Sequence, residues 1–186
     1  MTANLVKKFK EKNLASRVRK QDQEAFIEVY NLYVDDIYRF IYFKVGHKEE
    51  AQDVSSTVFL KAWNYINTNK LDANKSLKAL LYKIARNSVV DYYRQADPSF
   101  SLDQAMGIKD ESQDIEKEID VKVEFDRISV LLKGLKEEYR EIIVLRHLNE
   151  LNWDEISQTL GKSRGNLRVL LHRALKALRE AEEKNK

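Results

Sequence analysis

The sequence predicts an all-α protein: two small helical bundles joined by a flexible acidic linker, the second ending in a helix-turn-helix. Three observations predict it. One Pro and five Gly among 186 residues leave too few turn-formers for a sandwich or barrel. Apolar residues recur on a helical period through most of the chain. Charge is segregated: residues 1–95 carry 17 basic and 11 acidic side chains, 96–123 carry 3 and 8, and 124–186 carry 13 and 11. With 43% hydrophobic and 34% charged residues, the chain can bury a core and is not a disordered tail. Cysteine is absent, which excludes disulfides and cysteine-ligated zinc. No apolar run approaches membrane-spanning length and the N-terminus shows no signal-peptide core. A soluble cytoplasmic protein without membrane insertion is therefore expected.

The elements follow in order. Residues 1–21 read as a basic lead-in with Lys7, Lys8, Lys10 and Lys12, serving solubility or loose polyanion contact. The spacing of Ala25, Phe26, Val29, Tyr30, Leu32, Tyr33, Ile37, Phe40 and Ile41 predicts a helix from Gln23 to Val45, broken at Gly46 and His47. A second helix is predicted from about Glu49 to Ile66, with Val54, Val58, Phe59, Ala62 and Trp63 inward. Asn67 to Lys75 is a polar, Asn-rich loop. A third helix runs from near Ser76 to Arg94, with Leu77, Leu80, Leu81, Ile84, Ala85 and Val89 inward. These three make the first bundle, 22–95. Asp97-Pro98 ends it, because Pro lacks a donor and disfavours helix before it. Residues 96–123 are acidic with little apolar period and read as the linker. The second bundle, 124–186, opens on helices carrying Val130, Leu131, Leu135, Tyr139, Ile142, Ile143 and Leu145, with Gly134 as a break.

Trp153 to Arg179 reads as the helix-turn-helix. Ile156 and Leu160 mark the inner face of its first helix, Gly161 permits a left-handed stop and Ser163 caps the next helix. Leu167, Leu170, Leu171, Ala174, Leu175 and Leu178 form the buried stripe of the second helix, about 163–179. Gly161 to Arg179 holds six basic residues and no acidic one. Arg164, Asn166, Arg168 and His172 fall largely outside, where Arg can bond guanine and Asn adenine in a major groove. A solvated basic hairpin is the alternative. The run LLYKIARNSVVDYYRQ, Leu80 to Gln95, carries a second signal. Arg86, Asn87, Tyr93 and Arg94 are placed on one face with Lys83 nearby, and Trp63, Tyr65, Tyr82, Tyr92 and Tyr93 supply rings. Cations that track a backbone beside rings that stack on bases suit single-stranded DNA. The plainer reading is that most of these rings are core.

Two blocks in order carry a family resemblance: DVSSTVFLKAWNYI with LKALLYKIARNSVVDYYR, and LKEEYREIIVLRHLNELNWDEISQTLGKSRGNLRVLLHRALKALRE. They resemble the two conserved domains of the extracytoplasmic-function group of sigma-70 family sigma factors. Leu80 stands where that family usually carries Trp, and Ser55, Ser56 and Thr57 where acidic or Gln residues are usual. The resemblance implies a promoter-specificity subunit, with core RNA polymerase (clamp and flap), promoter DNA and an anti-sigma factor as partners and no cofactor. It implies that Asp53, Val54, Thr57, Phe59, Leu60 and Trp63 lie at or under the polymerase-binding face. For the melted −10 element it implies the loop residues Asn67, Asn69, Lys70, Asn74 and Lys75, with Asn87 holding the extruded base. It further implies that Lys83, Arg86 and Arg94 lie near the DNA backbone. For the −35 duplex it implies Ser163, Arg164, Asn166, Arg168 and Arg173, to which the outward-facing His172 is added. The acidic linker is implied to run toward the polymerase RNA path.

Catalysis is not expected. His47, His147 and His172 are scattered, no Gly-rich phosphate loop occurs, and the pairs Asp35-Asp36 and Glu137-Glu138 read as solvated faces. A stand-alone helix-turn-helix regulator, or an interaction module whose basic helix binds an acidic partner, are the other function classes the residues allow.

Overall fold

A computed structural model describes residues 11–69, 72, 75–96, 132 and 134–184. Its first set of helices comprises α1 (residues 11–18), α2 (Gln23–Val45), α3 (Lys48–Thr68) and α4 (Leu77–Ala96). The second set comprises α5 (Glu137–Ile143), which runs into a π-helical turn (Val144–Leu148), then α6 (Trp153–Leu160) and α7 (Arg164–Lys184). Every element among the described residues is helical. The linker proposed at 96–123 lies outside them apart from Ala96, as do Val130 and Leu131.

Local chemistry sets the boundaries. Asp22 starts α2, its Oδ1 accepting the Ala25 amide at 3.0 Å while Arg17 Nε donates to Oδ2 at 2.7 Å. The Ala25 amide first, and Arg17 second, hold the Asp22 carboxyl below its ordinary range. Gly46 stops α2 at φ 83°, a left-handed conformation only Gly adopts without penalty, and its N–H donates to Tyr42 O at 2.9 Å. Gly134 lies in the turn before α5.

The α2–α4 core contains Ile37, Phe40, Ile41, Val58, Leu81 and Tyr82, each 1% exposed or less. The lead-in is more than a basic tail. Leu14, Ala15 and Val18 of α1 are buried in the same core, an i, i+1, i+4 pattern overshadowed in the sequence by its lysines. In the second set Ile142, Leu145, Leu151, Ile156, Leu167 and Ala174 are fully buried.

The two sets pack on each other, α6 lying along α4, and their buried residues form one continuous cluster. Polar contacts cross the seam as well. Lys78 Nζ donates to Asn149 O at 2.6 Å, Ser76 Oγ to Glu155 Oε1 at 2.9 Å, and Thr159 Oγ1 to Ala79 O at 3.4 Å. At its other end Lys44 pairs with Glu137, and with Glu141 at 3.1 Å, while Arg86 Nε donates to both Glu141 oxygens at 3.1 and 3.2 Å. Glu137 is thus buried beside a cation rather than solvated as its sequence suggested, whereas its neighbour Glu138 is exposed. Burial alone would raise the Glu141 carboxyl, but Lys44 and Arg86 outweigh it and hold it below its ordinary value. Burial likewise works against the charge on Lys44, and Glu141 and Glu137 outweigh it, so that its pKa is raised.

Candidate nucleic-acid and polymerase interfaces

Asn152 begins α6 through a capping box: its Oδ1 accepts the Asp154 and Glu155 amides at 2.9 and 3.0 Å, and Glu155 Oε2 accepts the Asn152 amide at 2.8 Å. Gly161, at φ 66° and ψ 22°, ends it, donating to Ser157 O at 2.9 Å. Ser157 Oγ donates to Lys162 O at 2.8 Å across the turn. Ser163 then caps α7, its Oγ accepting the Asn166 amide at 3.3 Å. Leu167, Leu171 and Ala174 turn inward, so Ser163, Arg164, Asn166, Arg168, His172 and Arg173 are all exposed. Arg164, Arg168 and His172 follow one another at i, i+4 and i+8 along a single stripe. Over 21 residues α7 is about 31 Å long, enough to lie in a major groove and still reach flanking phosphates.

Two residues of α6 bear on that stripe, and neither has a local cue in its own helix. Asp154 pairs with Arg164, and the Trp153 ring lies under the guanidinium of Arg168 at 5.8 Å and that of Arg146 at 5.3 Å. The Asp154–Arg164 and Trp153–Arg168 contacts cross the turn of the helix-turn-helix.

On α4, Lys83, Asn87 and Arg94 are exposed and share one side at i, i+4 and i+11. Arg86 and Tyr93 are not with them, a correction to the single face expected. Arg86 turns toward Glu141, and the Tyr93 hydroxyl donates to Lys44 O at 2.9 Å. Tyr82 is core and not a stacking ring: it is fully buried, with its ring edge-on to Phe40 at 5.2 Å. Burial raises the Tyr82 hydroxyl pKa against a smaller opposing pull from the Asn149 side chain, whose contact falls short of hydrogen-bond geometry. Tyr65 and Tyr92 are half-buried.

Asn67, expected in the loop, lies in the last turn of α3; it is exposed and its carbonyl accepts from the Gln21 side chain at 3.2 Å. Asn69 closes α3, its Nδ2 donating to Tyr65 O at 3.1 Å and Thr68 Oγ1 at 2.9 Å. Lys75 is exposed. Lys70 and Asn74 lie outside the described residues.

On α3, Asp53, Thr57 and Leu60 form an exposed i, i+4, i+7 stripe. Val54 and Phe59 are buried beneath it and Trp63 is half-buried against Phe26, ring centroids 4.9 Å apart. Leu60 is 67% exposed, and α2 adds Ile27 and Tyr30, at 59% and 42%. Tyr30 is therefore surface rather than core, its ring meeting Phe59 edge-on at 4.8 Å. Exposed apolar side chains grouped in this way suit a protein contact. Among the described residues no cluster of three His, Asp or Glu could hold a metal ion, and no helix is long and apolar enough to cross a membrane.

Two family descriptions match the chain: Sigma-70 region 2 over residues 23–98 and Sigma-70, region 4 over residues 125–178. The ECF RNA polymerase sigma factor SigW of Bacillus subtilis (strain 168) is 30% identical over 179 residues, covering 91% of this chain and 95% of SigW. In fold, the chain resembles CnrH in its complex with the cytosolic domain of CnrY, with a TM-score of 0.71, 19% identity and coverage of 95% and 99% of the two chains. It also resembles the sigma factor RpoE in its complex with the anti-sigma factor NepR from Bartonella quintana, with a TM-score of 0.65, 20% identity and coverage of 87% and 98%.

Proposed function

Since the chain belongs to the ECF group of RNA polymerase sigma factors and is a promoter-specificity subunit, we propose a division of its promoter work between two surfaces. Residues 124–186 read the −35 element as duplex through Ser163, Arg164, Asn166, Arg168, His172 and Arg173. Residues 22–95 hold the melted −10 strand through Asn87 and the Asn67–Lys75 loop, with Lys83, Arg86 and Arg94 near its backbone. The same unit docks on core polymerase by the patch over Asp53, Val54, Thr57, Phe59, Leu60 and Trp63. The observation that carries this reading is the pairing of two exposed polar stripes on different helices, Arg164–Arg168–His172 on α7 and Lys83–Asn87–Arg94 on α4. A duplex-only regulator has use for the first but not the second.

The protein does no chemistry of its own, acts in the cytoplasm and is restrained by an anti-sigma factor, as RpoE is bound by NepR. Run-off transcription with core polymerase, with and without the protein, over a pool of genomic promoters tests the reading. Initiation from a distinct subset is expected, and an unchanged transcript pattern refutes it. Arg164→Ala with Arg168→Ala is expected to reduce promoter binding while leaving polymerase binding intact. Each lost base contact is worth about 1–3 kcal/mol. Asn87→Ala is expected to slow promoter opening more than it weakens the closed complex.

A further inference from the structure

Two residues at the centre of the outward face of α7 are poor choices for the helix that holds them. Gly165 and Val169 stand one turn apart and both are exposed. At about 100° per residue, Val169 points about 165° away from the mean direction of Leu167, Leu171 and Ala174, the residues that seat α7 on its core. Arg164 and Arg168 lie nearer the flank, where Asp154 and Trp153 meet them. Gly is the weakest helix former after Pro, and β-branched Val ranks below Ala, Leu, Arg and Lys.

The fold itself accounts for neither. A Cβ built at Gly165 meets nothing within 4 Å and the backbone there is helical, so no close approach inside the chain requires a glycine. Val169 is 51% exposed, whereas the other large apolar side chains left exposed among the described residues, Ile27, Tyr30 and Leu60, belong to the α2–α3 patch. Around Val169 stand exposed Asn166, His172, Arg173 and Lys176, at i−3, i+3, i+4 and i+7. A short apolar side chain ringed by cations and an amide suits the floor of a major groove. The thymine C5-methyl is the apolar group displayed there, among hydrogen-bond donors and acceptors. Val is short, so its methyls reach a base edge only when the helix backbone comes close. A glycine one turn earlier removes the Cβ that would hold the backbone off.

We propose that Val169 packs on a thymine methyl in the duplex read by α7 and so selects that base, and that Gly165 admits the helix to the depth this contact needs. The proposal rests on the reading of α7 as the −35 helix. It adds an apolar determinant to the polar contacts named above and makes Gly165 a positioning residue.

The test uses the full chain with core polymerase, which together select binding sites from a pool of randomised duplexes. In the upstream, duplex part of the motif recovered, each thymine of either strand is replaced in turn by deoxyuridine, which loses the methyl and keeps every hydrogen-bonding group. One replacement is expected to weaken binding by the parent about fourfold, the worth of one buried methyl-sized group. Val169→Ala is expected to bind the thymine duplex about fourfold less tightly than the parent and the uridine duplex equally well, a cycle that ties the methyl to this side chain. Gly165→Ala is expected to bring the ratio of thymine to uridine affinity toward one. Both variants put a better helix former at an exposed position, so their melting temperatures should hold or rise. A duplex part without a T·A pair, no uridine effect at any position, or a uridine effect that Val169→Ala retains in full overturns the role of Val169. An unchanged ratio in Gly165→Ala overturns that of Gly165. Failure of the −35 reading looks different. No motif, or one whose recovery is indifferent to Arg164→Ala with Arg168→Ala, sinks that reading and this proposal together, whereas a motif that needs the arginines and is blind to the methyl sinks this proposal alone.

Discussion

Gly161 is the position at which a single methyl group tests the helix-turn-helix most cleanly. Its φ of 66° and ψ of 22° lie in the left-handed region, where an L side chain costs about 1–2 kcal/mol. A Cβ built there meets nothing within 4 Å, so no steric penalty is added. Alanine keeps the N–H that donates to Ser157 O at 2.9 Å, so no hydrogen bond is lost. The cost of Gly161→Ala is therefore the backbone cost alone, about 1–2 kcal/mol, or a melting shift of roughly 2–8 °C at this chain length. Asn tolerates this region better and should cost less, while β-branched Val should cost more. Urea unfolding of the full chain, followed by far-ultraviolet circular dichroism, ranks the four residues Gly, Asn, Ala and Val in that order. A loss above about 3 kcal/mol for Ala, or Asn no better than Val, refutes the reasoning, because either requires a contact or a conformation the turn does not have.

Tyr82→Phe removes a buried hydroxyl whose contact with the Asn149 side chain falls short of hydrogen-bond geometry, so it should change stability by no more than about 1 kcal/mol in urea unfolding. Leu60→Asp, at a position 67% exposed, should leave the melting temperature unchanged and weaken binding to core polymerase in a pull-down. Glu141 is held below its ordinary value of 4.5, so its stabilisation is complete above that value and is lost as pH falls through its depressed folded pKa. Lys44 is raised above 10.5, so its contribution is complete below that value and is lost as pH climbs through its raised one. Urea midpoints should therefore be insensitive to these two groups between about pH 5 and 10, and Glu141→Gln should flatten the acid limb.

The helices of the fold were legible because they are local. The spacing of Ala25 through Ile41 predicts α2 from Gln23 to Val45, the bounds observed, and Gly161 with Ser163 marks the turn before α7. Depth was less legible. A 3.6-residue period gives the face of a helix but not how far its neighbours cover it, so Tyr30 lies on the apolar period of α2 and is exposed, while Tyr82 was a candidate stacking ring and proved buried. The burial of α1 was hidden because Leu14, Ala15 and Val18 sit among lysines and arginines. The ion pairs between the two sets were invisible for a different reason. Lys44 and Glu137 are 93 residues apart, Arg86 and Glu141 55 apart, and charged residues on helices look alike in sequence whether they meet water or each other. Trp153 and Asp154 escaped notice for the same reason: their partners lie across a turn and not along their own helix.

The wide turn at Val144–Leu148 determines the aim of the second set of helices. Asn149 donates to Val144 O at 2.9 Å, five residues back, so this stretch amounts to an α-helix with one surplus residue. Excising that residue would let the segment close as ordinary α-helix and rotate everything downstream by about 100° about the axis of α5. Helices α6 and α7 would keep their own geometry and point elsewhere. A one-residue insertion thus fixes the azimuth between the carboxylates that grip α4 and the arginines that read a groove, and a one-residue length change here re-aims the reading head without altering any residue in it.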